Sequence, residues 1–324
     1  MNTFADLSIL LNISIINCIK ILMIITFLSG GTGTPKLIRG FRKKIPDKNI
    51  SVIVNTAEDM WIYGSHLSPD IDTLMYLFSG LLNTDTWWGI KGDTTITNDF
   101  LKEIGEDIFL TLGDKDRAVN IARGRMLKEG LTLTQATKEL SKKLGVLANI
   151  MPMANTEVTT KILTEKGLIH FQEYWVRHRG SIEIKEIVRS FDVKPSATPE
   201  SLQAIEKSDV VILGPSNPVT SISPILECEG IKEALSEKIV VSVSPFIGDC
   251  PISGPAKELM KAWKMSPDSK GTYSLYKDFT DIFIQDIRDT EFIEKALKFD
   301  TLMINEDISV QLAENILNEV RELI

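Results

Sequence analysis

Met23-Ile24-Ile25-Thr26-Phe27-Leu28-Ser29-Gly30-Gly31-Thr32-Gly33-Thr34-Pro35-Lys36 is the stretch whose reading decides the fold. Residues 23–28 form a short apolar, β-branched run that predicts a buried first strand. Glycines turn the chain, and Thr34-Pro35 places a cap before a proline at the start of a helix. A strand, a tight turn and a helix in that order are the repeating unit of a parallel α/β sheet. Glycines let backbone approach an anion closely, and the free N–H groups at a helix start point toward it. Gly30, Gly31, Thr32 and Gly33 are therefore candidate phosphate contacts, and Lys36 adds positive charge. The loop is not a Walker A motif, because no Gly-Lys-Ser/Thr closes it. It is also an incomplete dinucleotide fingerprint, since Lys36 stands where the third glycine would be. A plain strand-to-helix turn is the alternative reading.

Outward from this stretch, apolar runs alternate with amphipathic helical stretches. The strands expected are 23–28, 50–55, 107–112, 209–213, 239–244 and 281–286; their lack of strict alternation suits a parallel sheet covered on both faces. Ser68-Pro69 and Gly254-Pro255 repeat the helix-opening device. Residues 115–129 and 133–144 read as a helical pair joined at Gly130 and capped near Thr132. The fold class expected is α/β: a Rossmann-like, mostly parallel sheet with an inserted, mainly helical subdomain. The core then covers 23–130 and 201–324 and the insert 131–200, with a cleft between them as the natural substrate site.

The chain has 324 residues, 43% hydrophobic and 25% charged, with a net charge of -8. This composition suits a globular protein with a sizeable core. The acidic balance argues against a nucleic-acid surface and suits a site that binds an anionic substrate through a divalent cation. Cys18, Cys228 and Cys250 make neither a disulfide framework nor a zinc pattern, which points to a reducing cytoplasm. His66, His170 and His178 are too scattered for a histidine metal cage. Residues 7–28 are rich in Leu and Ile, which raises a membrane span or signal peptide. A basic leading region is missing, however, and Asn12, Asn17 and Lys20 interrupt the run. Residues 1–22 therefore read as an extension upstream of a natural start at Met23, with no membrane partner.

Polar loops follow the expected strands. Asn55-Thr56-Ala57-Glu58-Asp59 ends the second strand, where open α/β sheets bind ligands. Acids recur in Ser68-Pro69-Asp70-Ile71-Asp72. Such hard oxygen ligands suit Mg²⁺, and Asp59 and Asp72 are the residues favoured to hold it and to act in catalysis. Asp70 also fits a first helical turn, where it would simply complement the dipole. Leu112-Gly113-Asp114-Lys115-Asp116-Arg117 is weak alone. Gly214-Pro215-Ser216-Asn217-Pro218 is a rigid turn displaying Ser216 and Asn217 as a second nucleotide clamp. Ser244-Pro245-Phe246-Ile247-Gly248-Asp249 ends the next strand in the same way. No Gly-x-Ser-x-Gly elbow or Cys–His pair is present, which suits phosphoryl transfer by positioning and charge stabilisation.

Together these motifs resemble the 2-phospho-L-lactate transferase (CofD) family from about Met23 to about residue 290. The likeness runs through residues 29–37, 54–59, 68–73, Trp87-Trp88-Gly89-Ile90, 112–118, His170-Phe171-Gln172 with Trp175, 214–218, 243–248 and 253–256. So many motifs in order are specific where each alone is weak. The resemblance implies a Mg²⁺-dependent transfer from lactyl-2-diphospho-5′-guanosine, or a phosphoenolpyruvyl relative, to the side-chain hydroxyl of 7,8-didemethyl-8-hydroxy-5-deazariboflavin, with GMP leaving. It implies that Gly30, Gly31, Thr32, Gly33 and Lys36 hold the donor diphosphate and that Ser216 and Asn217 grip the nucleotide. Asp59 and Asp72 would hold Mg²⁺ or orient the ribityl hydroxyls, and Asp59 or Asp72 would accept the proton. Asn55, Asp72, Trp88 and Thr111 would meet the deazaflavin, with Met151-Pro152-Met153 as a further lining candidate. Relatives often carry a basic residue where this chain has Thr111, so the acceptor contact there departs from the pattern. The resemblance also implies a homodimer. Two rivals stand beside it: a nucleotide-sugar-sensing regulator of related fold, and an NAD-dependent dehydrogenase, against which the missing third glycine counts.

Overall fold

β1 (Ile25–Ser29) is buried along its whole length, as a run without alternation requires. The computed structural model describes residues 23–252, 254–290 and 292–324, so the reading of residues 1–22 and of Cys18 lies outside the described residues, as does Ser253. β1 pairs in parallel with β2 (Ile50–Val54) on one side and with Val210–Leu213 on the other. Between these come the hairpin strands β3 (Met60–Ile62) and β4 (Ser65–Leu67), then β5 (Asn149–Pro152), β6 (Thr159–Thr164), β7 (Gly167–His170) and β8 (Glu186–Ser190). Val210–Leu213 is β9; β10 (Ile239–Val243), the short hairpin β11 (Phe246–Ile247) and β12 (Cys250–Pro251), β13 (Ile282–Asp286) and β14 (Leu297–Phe299) follow. The central sheet has seven parallel strands in the order β14-β13-β10-β9-β1-β2-β5.

Helices cover both faces. α1 (Gly33–Phe41), α2 (Pro69–Ser79), α3 (Asp114–Lys128), α4 (Leu133–Lys143) and the C-terminal α5 (Glu306–Arg321) are the ones that matter below. One core cluster joins Phe27, Val52 and Ile212 to Leu37, Phe41 and Leu74; another joins Leu28, Ile53 and Leu213 to Ile225 and Ile205. The connections leave β1 first toward β2 and later return to β9 on its other side. The carboxyl ends of β1 and β9 therefore form a switch point, the place where open α/β sheets leave a crevice.

The helix starts differ from expectation in their chemistry. α1 begins at Gly33, and Thr34 lies inside its first turn, where its hydroxyl meets Ser216 Oγ at 2.6 Å instead of capping. Ser68 stands at the cap of α2, but its hydroxyl donates to Asp59 Oδ2 (2.7 Å). Thr132 does cap α4, in a reciprocal box with Gln135. The 107–112 stretch is a loop, not a strand. Its backbone donors are met by side chains: Phe109 and Leu110 N–H donate to Tyr63 Oη, and Leu112 N–H donates to Asn98 Oδ1.

Residues 131–200 differ from a mainly helical insert. α4 is their one long helix; β5 enters the central sheet as its edge, and β6 pairs antiparallel with β7 and β8. Thr159–Thr164 alternates between buried and half-buried positions, the period of a strand with one face inward. The pocket-facing turn Glu173–Arg177 then follows β7 as a single wide helical turn. Among the described residues, no helix is long and apolar enough to cross a membrane.

Candidate active site

A cavity of about 430 Å³ opens at the switch point. Its polar side is built from the loops after β1 and β9, through Gly31, Thr32, Ser216 and Asn217. Ser216 locks these loops together: its hydroxyl donates to the Gly30 carbonyl and accepts from Thr34 N–H (3.1 Å). Asn217 Oδ1 accepts from Val219 N–H (2.9 Å) and Thr220 N–H (3.3 Å), which fixes the turn that follows. Gly31 has φ +54°, a conformation side chains resist, and this turns its N–H toward the α2 start. There Asp70 Oδ1 accepts from Gly31 N–H (2.7 Å), while Asp70 Oδ2 accepts from Asn55 Nδ2 (2.9 Å). Asp70 is thus a partner of the glycine loop and not only a favourable charge at a helix start.

Aromatic side chains, Trp87, Trp88, Phe109, Phe171 and Trp175, make up much of the rest of the wall. Lys36 does not line the cavity. It lies behind the wall, 5.4 Å from the centre of the Trp87 ring, with Arg39 at 4.9 Å on the same ring. Burial, and then repulsion from Arg39, lowers the Lys36 pKa.

The floor is acidic. Glu58, Asp70, Asp72 and Asp116 face the cavity, and no Lys or Arg does among the described lining residues. Asp72 is held by Arg123, which bonds both its carboxylate oxygens and is itself fully buried. Burial works against the Arg123 charge, but Asp72 more than offsets this and its pKa rises. Burial, and then the Asp70 charge, push Glu58 well above the usual carboxylate range; Gln172 donates to its Oε2 at 2.9 Å. Burial brings Asp70 up to about 6, against the pull of Asn55 and Gly31. Asp116 is pushed up to about 7, by burial first and by the Asp72 charge second. A carboxyl raised from 3.8 to about 7 contributes stability that is fully present below pH 3.8 and is lost as pH rises through 7. Asp116→Asn should remove this dependence, so the wild type should lose about 2–3 kcal/mol relative to the variant between pH 5 and pH 8. Urea unfolding at pH 5 and pH 8 measures it; parallel pH dependences for the two proteins would refute the assignment.

The structure brings Gly31, Thr32, Asp72, Trp88, Thr111, Ser216 and Asn217 to one cavity. Other expected site residues stand behind its surface. Gly30 packs against Ser221, Asn55 and Asp70, and Gly33 against the Pro215 carbonyl. Asn55 spends its Oδ1 on Ala57 N–H and its Nδ2 on Asp70, so it supports the loop rather than facing a ligand. Asp59 lies beneath the floor, with Oδ1 sealed and unpartnered, and burial pushes its carboxyl well above the usual range. Met151-Pro152-Met153 is buried core at the end of β5, because the strand pairs with β2 and turns these side chains into the second cluster. Sequence reasoning gives no role to Tyr76 or Arg123, and names Trp87 only within the Trp87-Trp88-Gly89-Ile90 motif. Arg123 carried one readable signal: it lies one turn after Asn120 on the face of α3 that carries Asp116.

The sequence matches the family model for the 2-phospho-L-lactate transferase CofD over residues 25–321. A 2-phospho-L-lactate transferase of Methanospirillum hungatei is 54% identical over 296 residues, covering 91% of this chain and 100% of the relative. The chain belongs to the CofD family. Its membership makes it a transferase. The 2-phospho-L-lactate transferases of Methanocorpusculum labreanum and Methanosarcina mazei are 54% and 43% identical, covering 91% and 88% of this chain and 98% and 97% of those proteins. A UPF0052-family protein of Bacillus halodurans shares the fold, with a TM-score of 0.58 at 16% identity over 91% of this chain and 98% of that one. Among the described residues, no three acids, histidines or cysteines form a ready metal cage.

Proposed function

We propose that this CofD-family chain transfers the 2-phospho-L-lactate group from lactyl-2-diphospho-5′-guanosine to the side-chain hydroxyl of 7,8-didemethyl-8-hydroxy-5-deazariboflavin in the cytoplasm, forming coenzyme F420-0 and releasing GMP. One observation carries the reading: a single cavity is lined both by five aromatic side chains and by the glycine-loop and Ser-Asn turns of the switch point. The wall suits a fused-ring acceptor, since aromatic faces stack. The turns suit a diphosphate, since backbone N–H groups at a helix start favour anions. The names of the relatives give 2-phospho-L-lactate as the group that those proteins transfer, which supports the transferred group of this reading.

A diphosphate entering this cavity meets four carboxylates and no lining cation. That imbalance fits Mg²⁺, which uses one or two carboxylates and completes its shell with substrate phosphates and water. Asp70 and Asp59 are the donors that would hold it: Asp70 lines the cavity and would exchange its bond from Gly31 or Asn55 for the ion, and Asp59, whose Oδ1 has no partner beneath the floor, would have to turn toward the cavity. When bound, the ion neutralises charge on the phosphate oxygens. Asp72, already tied to Arg123, would orient the ribityl chain. The start of α1, which follows the glycine loop, would favour the negative charge of the transferred phosphoryl group. Trp88 and Thr111 would border the ring.

Synthetic donor and deazaflavin, incubated with the chain and Mg²⁺, should yield GMP and the phospholactyl product by chromatography. EDTA should slow GMP release by about 10²–10³-fold, the scale of losing one strong electrostatic contact. Wild-type protein that binds the nucleotide yet releases no GMP above the enzyme-free control would favour the sensing regulator instead.

A further inference from the structure

Of the acids facing the cavity, Asp72 has both oxygens taken by Arg123, and Asp70 has both taken by Gly31 and Asn55. Glu58 is held by Gln172 and Thr220. Asp116 differs. Its Oδ1 accepts from Tyr76 Oη (2.7 Å) and Asn120 Nδ2 (3.4 Å), while its Oδ2 takes no hydrogen bond among the described residues. That oxygen is not among the sealed buried acceptors, and Asp116 lines the cavity. Asp59, by contrast, is sealed beneath the floor. A general base needs a free lone pair within reach of the substrate and a framework that holds it still. Tyr76 from α2 and Asn120 from α3 hold one oxygen and leave the other toward the ligand.

We infer that Asp116, through Oδ2, is the general base that takes the proton from the acceptor hydroxyl. The inference rests on the transfer reaction proposed above. As the hydroxyl oxygen forms its bond to the phosphorus bearing the lactyl group, its proton passes to Asp116 Oδ2. The bond from that phosphorus to the GMP oxygen breaks, and GMP leaves with the electron pair. Asp116 then returns the proton to water. The groups facing Asp116 are Asp72 and Tyr76 of α2, Asn120 and Arg123 of α3, and Asp93, whose Oδ2 accepts Asp116 N–H at 3.0 Å. Asp72 repulsion and burial outweigh the pull of Tyr76 and Arg123, so the carboxyl titrates near neutrality, where base strength and the ionised fraction are both useful.

The test measures GMP release by the full chain from pH 5 to 9, alongside GDP binding by calorimetry. Wild-type kcat should rise with pH through a limb near 7 and then level. Asp116→Asn should lower kcat by about 10²–10⁴-fold and lose that limb, with GDP affinity changed less than about threefold. Tyr76→Phe keeps the base but removes a donor that favours its ionised form, so its limb should move to higher pH. Retention of kcat within threefold in Asp116→Asn, an unmoved limb in either variant, or loss of GDP binding in parallel with turnover would overturn the assignment. Wild-type protein without turnover on any donor would instead overturn the reaction reading, and the base assignment with it.

Discussion

Arg123→Ala is expected to destabilise the protein by about 3–5 kcal/mol, the scale of breaking a buried ion pair from one side. Arg123 is fully buried, and its guanidinium also donates to the His66 carbonyl and to Asn120 Oδ1, both at 3.1 Å. Its removal leaves the Asp72 carboxylate unpaired in a floor that already holds Glu58, Asp70 and Asp116. Three acceptors lose their donor at once, and an unsatisfied buried acceptor costs more than a hydrogen bond gains. Urea unfolding should show a lower midpoint at unchanged slope. Replacing both partners, Arg123→Met with Asp72→Leu, should recover much of the loss, because the pair's own net contribution is small. A single variant within 1 kcal/mol of wild type would mean that water reaches the pair. Asp72→Asn retaining full turnover would separately exclude an essential charge there.

Gly33→Ala is expected to weaken GDP binding by at least about 10²-fold. A Cβ at this position would fall inside the Pro215 carbonyl group and against the Ser216 backbone. Backbone cannot step aside as a flexible side chain does, so the 215–217 turn must move away from the loop after β1. That motion would break the Ser216 bonds to Gly30 and Thr34, which hold the two anion-facing turns in register. The overpacking itself should cost only about 1–3 kcal/mol of stability, so the variant should fold while binding fails. Calorimetric titration with GDP reads the outcome; affinity within threefold of wild type would show that the two turns do not need their observed spacing.

The roles of these residues mark how far sequence reading reached. The strand–turn–helix at 23–36 was legible because β-branched burial, glycine turns and a proline at a helix start are local effects. The loops at 55–59 and 214–218 are legible for the same reason, as each ends an apolar run. Residues 107–112 misled because their apolar content is that of a strand, whereas Tyr63 and Asn98, both distant in sequence, supply the hydrogen bonds that a strand neighbour would. The insert misled because Asn149–Pro152 joins an edge of a sheet begun a hundred residues earlier.

The sequence by itself determined that this chain forms a parallel α/β sheet with anion-suited loops at its strand ends and belongs with the 2-phospho-L-lactate transferases. Those properties depend on hydrophobic period, turn chemistry and motif order, all read along the chain. Only the tertiary structure decided which acid does what. Asp70 meets the glycine loop, Asp72 is tied to Arg123, Asp59 is sealed, and Asp116 keeps an oxygen open to the cavity. Four carboxylates of the same chemistry differ through their partners and burial, and these are set by segments that approach only after folding.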